Sequence, residues 1–449
     1  MFDQSLSVKN FRIIYELDRK NNGRIEKDYF PVAFQQRLKI RNLKKIVKNL
    51  GFRYKKKLVS KEYFEIRRER ANKLIELRKE VLNNEVNKIL TDVVKTVSAK
   101  GYSLPLTKSD QLIRGKEVFS IGKDIETIFV SRHVQMVLSS LYKVKINNRD
   151  MIISRLSTIV KDSSPKYIIR ADVESFYESI DHKDLLDILH SSPKLSVTPR
   201  RILTQLIRVY AKISDKSKGL PRGVGISAYL SEVYMGNVDE EINSLPDVTY
   251  YERYVDDLIA IFSPTRNEHL ADYLPSIGRI ISKKKLQLND KTKELDLFNQ
   301  RSNNFEYLGY HFRVENGSCT IKLSRKKKDK LKERINQSFN YFHKEHKGTP
   351  RAAFRNLLLR IRLLTGNTRL LNSKSNAFVG IYFSNKFIND TSDLVALDNF
   401  LEHKLNSLPN SKHRNRIKKM SFVQGFENKI FRKFDMKELS LVSKGWNNG

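Results

Sequence analysis

The chain has 449 residues, enough for two or three domains with a large core. Lys and Arg number 85 against 50 Asp and Glu, and the resulting net charge of +35 predicts a polyanion as partner. The single cysteine, Cys319, excludes an internal disulfide and a cysteine zinc cluster. No segment approaches the roughly 20 apolar residues of a membrane span. The N-terminus lacks a signal-peptide core, so a reducing cytoplasm is the expected location.

Residues 1–100 are expected to form an N-terminal helical region. From Tyr63 to Val97, apolar residues recur at helical spacing, which predicts one long amphipathic helix or two. The pattern also suits a coiled coil, but packing against the body of the protein is favoured over a dimer stalk.

A short apolar run from Tyr167 reads as a β-strand that ends at Asp172. Asp181 then offers an N-cap for a helix, and Asp184 places a negative charge in its first turn. Asp172 therefore lies where a strand ends and a turn into a helix begins. Taken alone, a residue in this position is most often a plain turn residue.

Two further apolar stripes predict helices in the same region. The first begins at Thr198 and Pro199, and Ile202, Leu206 and Val209 give it one apolar face. The second follows Gly225 and consists of Ile226, Tyr229, Leu230, Val233, Tyr234 and Ile242.

Residues 250–262 contain two strand-like runs that flank a pair of adjacent aspartates. Asp256 and Asp257 are therefore predicted at the tip of a β-turn, although Asp-Asp is also an ordinary turn sequence. Two carboxylates held side by side repel each other, and Mg²⁺, which prefers carboxylate oxygens and substrate phosphates, relieves that repulsion. If this hairpin pairs with the strand that ends at Asp172, three carboxylates meet at one edge of a sheet. That is the minimum set for two-metal phosphoryl transfer.

Five segments follow one another in the order Ala171–Tyr177, Gly219–Ser227, Tyr254–Asp257, Leu288–Lys293 and Phe305–Tyr310. In this order they resemble the five motifs of a reverse transcriptase palm, and the resemblance covers residues 166–312. Pro-Arg-Gly in the second motif and Phe-Tyr-Glu-Ser-Ile in the first are similar to bacterial retron-like and antiphage-defence reverse transcriptases. The opening Phe-Asp-Gln-Ser-Leu-Ser-Val-Lys-Asn-Phe further resembles the smaller enzyme of type 3 defence-associated reverse transcriptase systems.

The resemblance implies an α+β right-hand polymerase fold. Its expected parts are an N-terminal helical region (1–100), fingers and a palm with an antiparallel sheet packed on helices (101–312), a helical thumb (313–410) and a basic C-terminal extension (411–449). The implied activity is RNA-directed DNA polymerisation with two Mg²⁺ ions and deoxynucleoside triphosphates. The implied partners are a noncoding RNA template, the DNA product and a second reverse transcriptase, in antiphage defence. The oligomeric state stays open.

The motifs also assign roles to single residues. Tyr177 lies where the family has its steric gate against a ribose 2′-hydroxyl. Lys291 is a candidate acid for the departing pyrophosphate, with a plain surface lysine as the alternative. Arg222 replaces a glutamine common in the family, which leaves nucleotide selectivity open. The metal set is Asp172, Val173, Asp256 and Asp257; the nucleotide-binding set is Tyr177, Arg222, Gly223, Arg114 and Lys116; the primer grip is Tyr307, Leu308 and Gly309; and the nucleic-acid-binding set is Arg325, Lys326, Lys327, Arg355 and Arg362.

Other functions remain open from the sequence. An RNA-dependent RNA polymerase is disfavoured by the bulky Tyr177. A catalytically idle, maturase-like RNA-binding scaffold has no reason to keep three costly like charges together. A basic ribosome-associated protein would share the net charge but not the aspartates. An untemplated or protein-primed DNA polymerase is a further alternative.

Overall fold

The chain forms two compact units, which are interleaved in sequence. Unit 1 comprises Met1–Ile146, Ser175–Val238 and Lys283–Leu286, and unit 2 comprises Asn147–Glu174, Asp239–Ser282 and Gln287–Gly449. The computed structural model describes residues 3–21, 23–110, 112–113, 115–144, 148–266, 269–300, 302–315, 317–370, 377–409, 412–444 and 446. Within these ranges, none of the helices combines the length and the apolar character that are needed to cross a bilayer.

Helices and antiparallel strands alternate along the chain, which confirms the predicted α+β class. The helices are α1 (Val8–Asn21), α2 (Arg24–Tyr29), α3 (Pro31–Lys55), α4 (Lys61–Ser98), α5 (Ile125–Leu141), α6 (Arg149–Ile159), α7 (Phe176–Ser179), α8 (His182–Ser191), α9 (Val197–Ser214), α10 (Gly225–Asn243), α11 (Leu270–Ser282), α12 (Arg325–His346), α13 (Pro350–Leu364), α14 (Ser392–Leu405), α15 (Lys412–Lys418), α16 (Phe422–Glu427) and α17 (Met436–Lys444). The strands are β1 (Leu106–Lys108), β2 (Phe119–Ile121), β3 (Tyr167–Asp172), β4 (Val248–Tyr254), β5 (Asp257–Phe262), β6 (Lys293–Asp296), β7 (Ser302–Tyr307), β8 (Tyr310–Glu315), β9 (Ser318–Leu323), β10 (Asn367–Leu370) and β11 (Ala377–Gly380).

Unit 1 is mainly helical, and its longest element is α4. The apolar repeat that begins at Tyr63 forms one helix of 38 residues, not two. The Ser60 side chain caps it by accepting a hydrogen bond from the Tyr63 amide at 3.2 Å. One face of α4 packs on α1, α3 and α5. The helix therefore packs within unit 1, as expected, and its buried residues are Ile75, Leu82, Val86, Leu90, Val93 and Val97.

The helices α9 and α10 confirm the two predicted apolar stripes. In α9, Pro199, Ile202 and Leu206 are buried. In α10, Tyr229 is half-buried, whereas the other residues of its predicted stripe are in the core. Val209 of α9 is half-buried, and α10 also buries Ser227, Ser231 and Met235 beside its predicted stripe.

Unit 2 contains a four-stranded antiparallel sheet with the strand order β4-β5-β3-β6. The run Leu258–Phe262 in β5 is continuously apolar and entirely buried, as expected for a central strand covered on both faces. In the β3–β5 register, Tyr167 pairs with Phe262, and Asp172 pairs with Asp257. The alignment of these two strands brings their acidic ends together.

A second antiparallel sheet, β7-β8-β9, shares one core with the helices that follow it. Phe305 and Phe312 stack across β7 and β8 with ring centroids 4.9 Å apart. The C-terminal segment joins the same core, since Phe422 is fully buried and its amide donates to the Asp398 carboxylate of α14 at 2.6 Å. Residues after 411 thus include packed helices as well as basic side chains. The four-part domain division stays a prediction.

Candidate active site

The three predicted aspartates come together at one edge of the four-stranded sheet. One carboxylate oxygen from each of Asp172, Asp256 and Asp257 lies within 4.8 Å of the other two, and all three residues are half-buried. Asp172 ends β3 and pairs with Asp257 at the start of β5. The Val173 amide, which follows Asp172, donates to the Asp256 carbonyl at 3.0 Å. The main chain therefore joins the strand end to the turn that carries the other two carboxylates.

The turn between β4 and β5 has a strained backbone. Val255 has a φ of +62°, a left-handed conformation that β-branched residues rarely adopt. A two-residue hairpin turn requires such a φ because its twist must match that of the strands. Tyr254 and Asp257 pair across it, so Val255 and Asp256 form the tip.

A buried arginine supports this turn from below. Arg253 is only 4% exposed, and its Nη1 donates to the Val255 carbonyl at 2.8 Å. Its Nε and Nη2 donate to the two carboxylate oxygens of Asp239 at 2.8 and 2.7 Å. The Tyr251 hydroxyl donates to the same carboxylate at 2.6 Å. Since the guanidinium is held in a bidentate pair, it holds the carbonyl next to Asp256 in one position.

A second arginine is in direct contact with the triad. Arg170 Nη2 donates to Asp257 Oδ1 at 2.6 Å. Burial is the largest influence on the pKa of Asp257 and raises it above its ordinary value. The positive charges of Arg170 and Lys291 lower this pKa, and the negative charge of Asp172 raises it. The burial of Asp257 and the negative charge of Asp172 thus raise this pKa by more than the two cations lower it. A bound divalent cation would reverse this balance.

Asn289 is a site residue that the sequence analysis did not select. Its side-chain amide donates to Asp172 Oδ2, and its main-chain amide donates to the Asp172 carbonyl at 2.9 Å. Its own Oδ1 accepts from the Lys291 amide at 2.9 Å. Asn289 therefore orients the first carboxylate and connects it to the fourth motif, where the Lys291 side chain is exposed. The sequence signal that could have selected Asn289 was its position inside the fourth motif, Leu288–Lys293.

The donor set of the triad fits a hard divalent cation. The three side chains offer only carboxylate oxygens, which are the ligands that Mg²⁺ prefers, and each residue is partly exposed. Val173 is buried and contributes main-chain contacts.

In unit 1, two of the predicted nucleotide-binding residues, Arg222 and Lys116, pair with one carboxylate, that of Glu178. Arg222 Nε and Nη2 donate to its two oxygens at 2.6 and 2.9 Å, and Lys116 Nζ lies 3.1 Å from Oε1. The Arg222 guanidinium also lies over the Tyr177 ring at 5.3 Å. Burial raises the pKa of Glu178, but Arg222 and Lys116 outweigh it, so the pKa is below its ordinary value. Glu178 was not selected from the sequence, although it directly follows Tyr177. Arg114, the remaining cation of the predicted set, lies outside the described residues.

The glycine of the second motif permits a close backbone approach. Gly223 has a φ of +91°, and a Cβ at this position would lie 2.6 Å from the Phe119 carbonyl oxygen. The Phe119 amide also donates to the Arg222 carbonyl at 2.7 Å. The loop is thus held against β2, where only glycine fits.

The predicted primer grip forms the tight turn between β7 and β8. Leu308 and Gly309 both have positive φ, and the Tyr307 hydroxyl donates to the Asp257 carbonyl at 3.3 Å. Arg149 Nε donates to the Leu308 carbonyl at 2.9 Å. The turn is therefore connected to the aspartate-bearing strand through a buried tyrosine.

The predicted nucleic-acid-binding residues of unit 2 differ in exposure. Arg325, Lys326 and Arg355 are exposed. Lys327 instead donates to the Ser384 carbonyl at 2.9 Å, and burial, with the charge of Arg149 adding to it, lowers its pKa to about 7. Arg362 is half-buried, with its guanidinium 5.4 Å from the centre of the Phe434 ring.

Residues 85–312, just over half of the chain, match the family model described as reverse transcriptase (RNA-dependent DNA polymerase). No curated protein matches the chain. Solved structures similar to it include an apo telomerase from Candida tropicalis (15% identity, TM-score 0.39, covering 82% of this chain and 67% of that one). Others are a telomerase from Candida albicans in complex with a TWJ fragment of telomeric RNA (12%, 0.33, 71% and 57%) and a C. tropicalis apo telomerase truncated from its C-terminal domain (16%, 0.35, 51% and 56%). The chain thus spans between 56% and 67% of these telomerase chains.

We expect Asp239→Asn to destabilise unit 2, because it leaves the buried Arg253 guanidinium without its counter-charge. The free energy of unfolding should fall by about 2–3 kcal/mol. Trp446 is the only tryptophan, and its ring lies 5.0 Å from the Arg334 guanidinium, so its fluorescence reports unfolding of this unit. The matched control is Asp329→Asn, which removes an exposed ion pair with a separation of 3.9 Å. Equal unfolding midpoints for the two variants would contradict the supporting role of the buried pair.

Proposed function

This chain belongs to the reverse transcriptase (RNA-dependent DNA polymerase) family, and we propose that it extends a 3′-hydroxyl, or a protein hydroxyl, with deoxynucleotides on an RNA template. The observation that carries the proposal is the placement of Asp172, Asp256 and Asp257, whose carboxylate oxygens lie within 4.8 Å of one another. A protein that only binds RNA would bear the electrostatic cost of this arrangement without benefit.

The triad and Val173 would hold the two Mg²⁺ ions. When bound, Mg²⁺ supplies activation of the attacking hydroxyl and stabilisation of charge on the phosphate oxygens. The protein's own contribution is positional: Asn289 orients Asp172, Arg170 orients Asp257, and Arg253 holds the turn at Val255. Such fixed ligands reduce the reorganisation needed when substrate arrives.

The nucleotide-binding role of the unit 1 residues is supported by the second motif and by their local chemistry. Lys116 and Arg222 converge on Glu178, so an anionic triphosphate could replace that carboxylate as their partner. Tyr177 presents a half-buried ring five residues after Asp172, and the motif supports it as the gate that rejects a 2′-hydroxyl. Lys291 is exposed and can donate a proton to the departing pyrophosphate.

The template in this proposal is an associated noncoding RNA, and the biological role is antiphage defence, with a second reverse transcriptase as partner. The resemblance of the first and second motifs supports this part. The exposed Arg325, Lys326 and Arg355 can contact phosphates of the template–product duplex without reading its sequence.

Replacing both turn aspartates tests the polymerase function. Asp256→Ala with Asp257→Ala should lower incorporation of labelled deoxynucleotides by about 10³-fold or more, because the metal ligands are lost. The assay uses protein purified with its bound RNA, with and without ribonuclease pretreatment. The exposed Asp272→Ala is the matched control. Synthesis that survives the double substitution would contradict the proposal, product that survives ribonuclease would indicate untemplated synthesis, and RNA binding without any product would indicate an idle scaffold.

Tyr177→Ala should weaken the preference for deoxynucleotides over ribonucleotides by about tenfold or more, because a steric barrier to the 2′-hydroxyl is removed. Tyr177→Phe keeps the ring and should keep the preference. The measurement is kcat/KM for one deoxynucleotide and its matching ribonucleotide. If the alanine variant still discriminates against ribonucleotides as strongly as the unsubstituted chain, Tyr177 is not the steric gate.

The defence role predicts that phage form fewer plaques on bacteria that express this chain with its neighbouring genes than on bacteria without it. The protection should disappear with Asp256→Ala and Asp257→Ala, since it depends on DNA synthesis. Plaque counts at matched expression test this. Equal protection by the substituted chain would show that polymerisation is not the protective activity.

A further inference from the structure

The helix α3 carries an unusual charge pattern for an exposed element. Its 25 residues, Pro31–Lys55, contain eight Lys and Arg and no Asp or Glu. Two more lysines, Lys56 and Lys57, follow directly. One face of the helix packs on α2 and α4, where Ala33 and Ile40 are buried. Arg37 pairs with the buried Glu26 of α2 at 2.6 Å, and the other seven cations of α3 are exposed.

Six residues of α3 form a single line along that surface, which we name the α3 basic stripe. Their spacing places all six within an arc of about 100° on the helix, over a length of about 21 Å. Every one of them is exposed, and Phe52 is 58% exposed. The stripe consists of Arg41, Lys44, Lys45, Lys48, Phe52 and Lys55.

No carboxylate in the described part of the chain lies within ion-pairing distance of the five cations of the stripe. On the neighbouring helix α4, by contrast, three exposed lysines each have an acidic partner about one turn away. Lys61 lies 3.9 Å from Glu65, Lys73 lies 2.8 Å from Glu69, and Lys79 lies 2.7 Å from Glu76. Helix α4 has nine Lys and Arg against seven Asp and Glu, so most of the net positive charge of this helical pair lies on α3.

We propose that the α3 basic stripe binds the phosphate backbone of RNA. Five cations without internal partners match a polyanion of fixed charge spacing, and one duplex strand presents about six phosphates over the length of the stripe. A symmetric dimer formed through this stripe is disfavoured, because it would bring two like-charged stripes into contact. The identification of the polyanion as RNA rests on the proposed function, whereas the binding of phosphate does not.

This contact would hold RNA in position without selecting its sequence. Lysine and arginine contacts to phosphate carry no base information, and their strength comes from the release of counterions. Phe52 gives an unpaired base a surface on which to stack, with Lys56 Nζ 4.7 Å from the ring centre. RNA with a duplex next to a single-stranded bulge would use both features.

The test compares two triple substitutions in the full chain. The stripe variant is Lys44→Gln, Lys45→Gln and Lys48→Gln, and the matched control is Lys61→Gln, Lys73→Gln and Lys79→Gln. Both remove three exposed lysines from adjacent helices, and Gln has nearly the helix propensity of Lys. The control lysines already have carboxylate partners, so they should release few counterions when RNA binds.

The probe is a labelled RNA hairpin of about 20 base pairs, with Kd measured between about 50 and 200 mM salt. Chelator is present and nucleotides are absent, so the result does not depend on polymerisation. In the stripe variant, the slope of log Kd against log salt should decrease by about 2.7, and affinity at low salt should fall at least about tenfold. The control slope should change by less than about one. Equal changes in both variants, or no change in either, would overturn the proposal.

Three further results complete the test. If the triple variant loses its helical circular dichroism, Lys48→Gln and Lys73→Gln replace the two triples, with an expected slope decrease of about 0.9 for the first only. Stripe-dependent binding of poly-glutamate, with RNA binding unchanged, would overturn RNA in favour of an acidic protein. Stripe-dependent RNA binding by a chain that incorporates no deoxynucleotide would support the stripe and refute the proposed function. Deoxynucleotide incorporation by a chain whose RNA binding does not depend on the stripe would refute the stripe alone.

Discussion

The separation of three carboxylates, each within 4.8 Å of the others, is the constraint on which the site depends. Unscreened like charges this close repel strongly in a partly buried setting. The main-chain pairing of β3 with β5 maintains them, because it places Asp172 opposite Asp257 through a ladder of buried apolar residues. Burial of Leu258–Phe262 stabilises the strand that carries the charges, and the register determines where they lie.

The surrounding polar residues make this arrangement tolerable and rigid. Arg170 supplies one cation to Asp257, and Asn289 donates to Asp172 from the main chain and the side chain. The positive φ of Val255 is retained because the Arg253–Asp239 pair holds its carbonyl. A buried ion pair of this kind gives a defined geometry more reliably than it gives net stability. A defined geometry is useful next to the predicted metal ligands, because their oxygens must keep fixed positions.

The charge distribution separates two kinds of basic surface. In unit 1, Lys116 and Arg222 pair with Glu178, and Lys73 and Lys79 of α4 pair with glutamates about one turn away. Such cations are ordered but partly neutralised. The α3 stripe has none of these acidic neighbours among the described residues, so its full charge is presented to solvent. A net charge of +35 therefore says less about function than the places where that charge is unopposed.

The sequence by itself determined the elements with strong local patterns. The apolar runs around Asp172 and around Asp256–Asp257 predicted strands that end in carboxylates, and the repeat in α4 predicted a helix; all three are present. These features could be read because alternation, helical period and turn chemistry depend on neighbouring residues. The motif order likewise predicted the family, which the match over residues 85–312 confirms.

Only the tertiary structure decided which distant side chains meet. Asn289 and Asp172 are 117 positions apart, Arg170 and Asp257 are 87 apart, and Arg222 and Glu178 are 44 apart. The burial of Lys327, which lies in a run of four basic residues, was equally invisible in the sequence. Contacts of this kind follow from strand register and helix packing, which depend on the fit of whole faces. The residue types that the chemistry requires can be read from short segments of the sequence. The partners of those residues are set by packing between elements that are far apart in the chain.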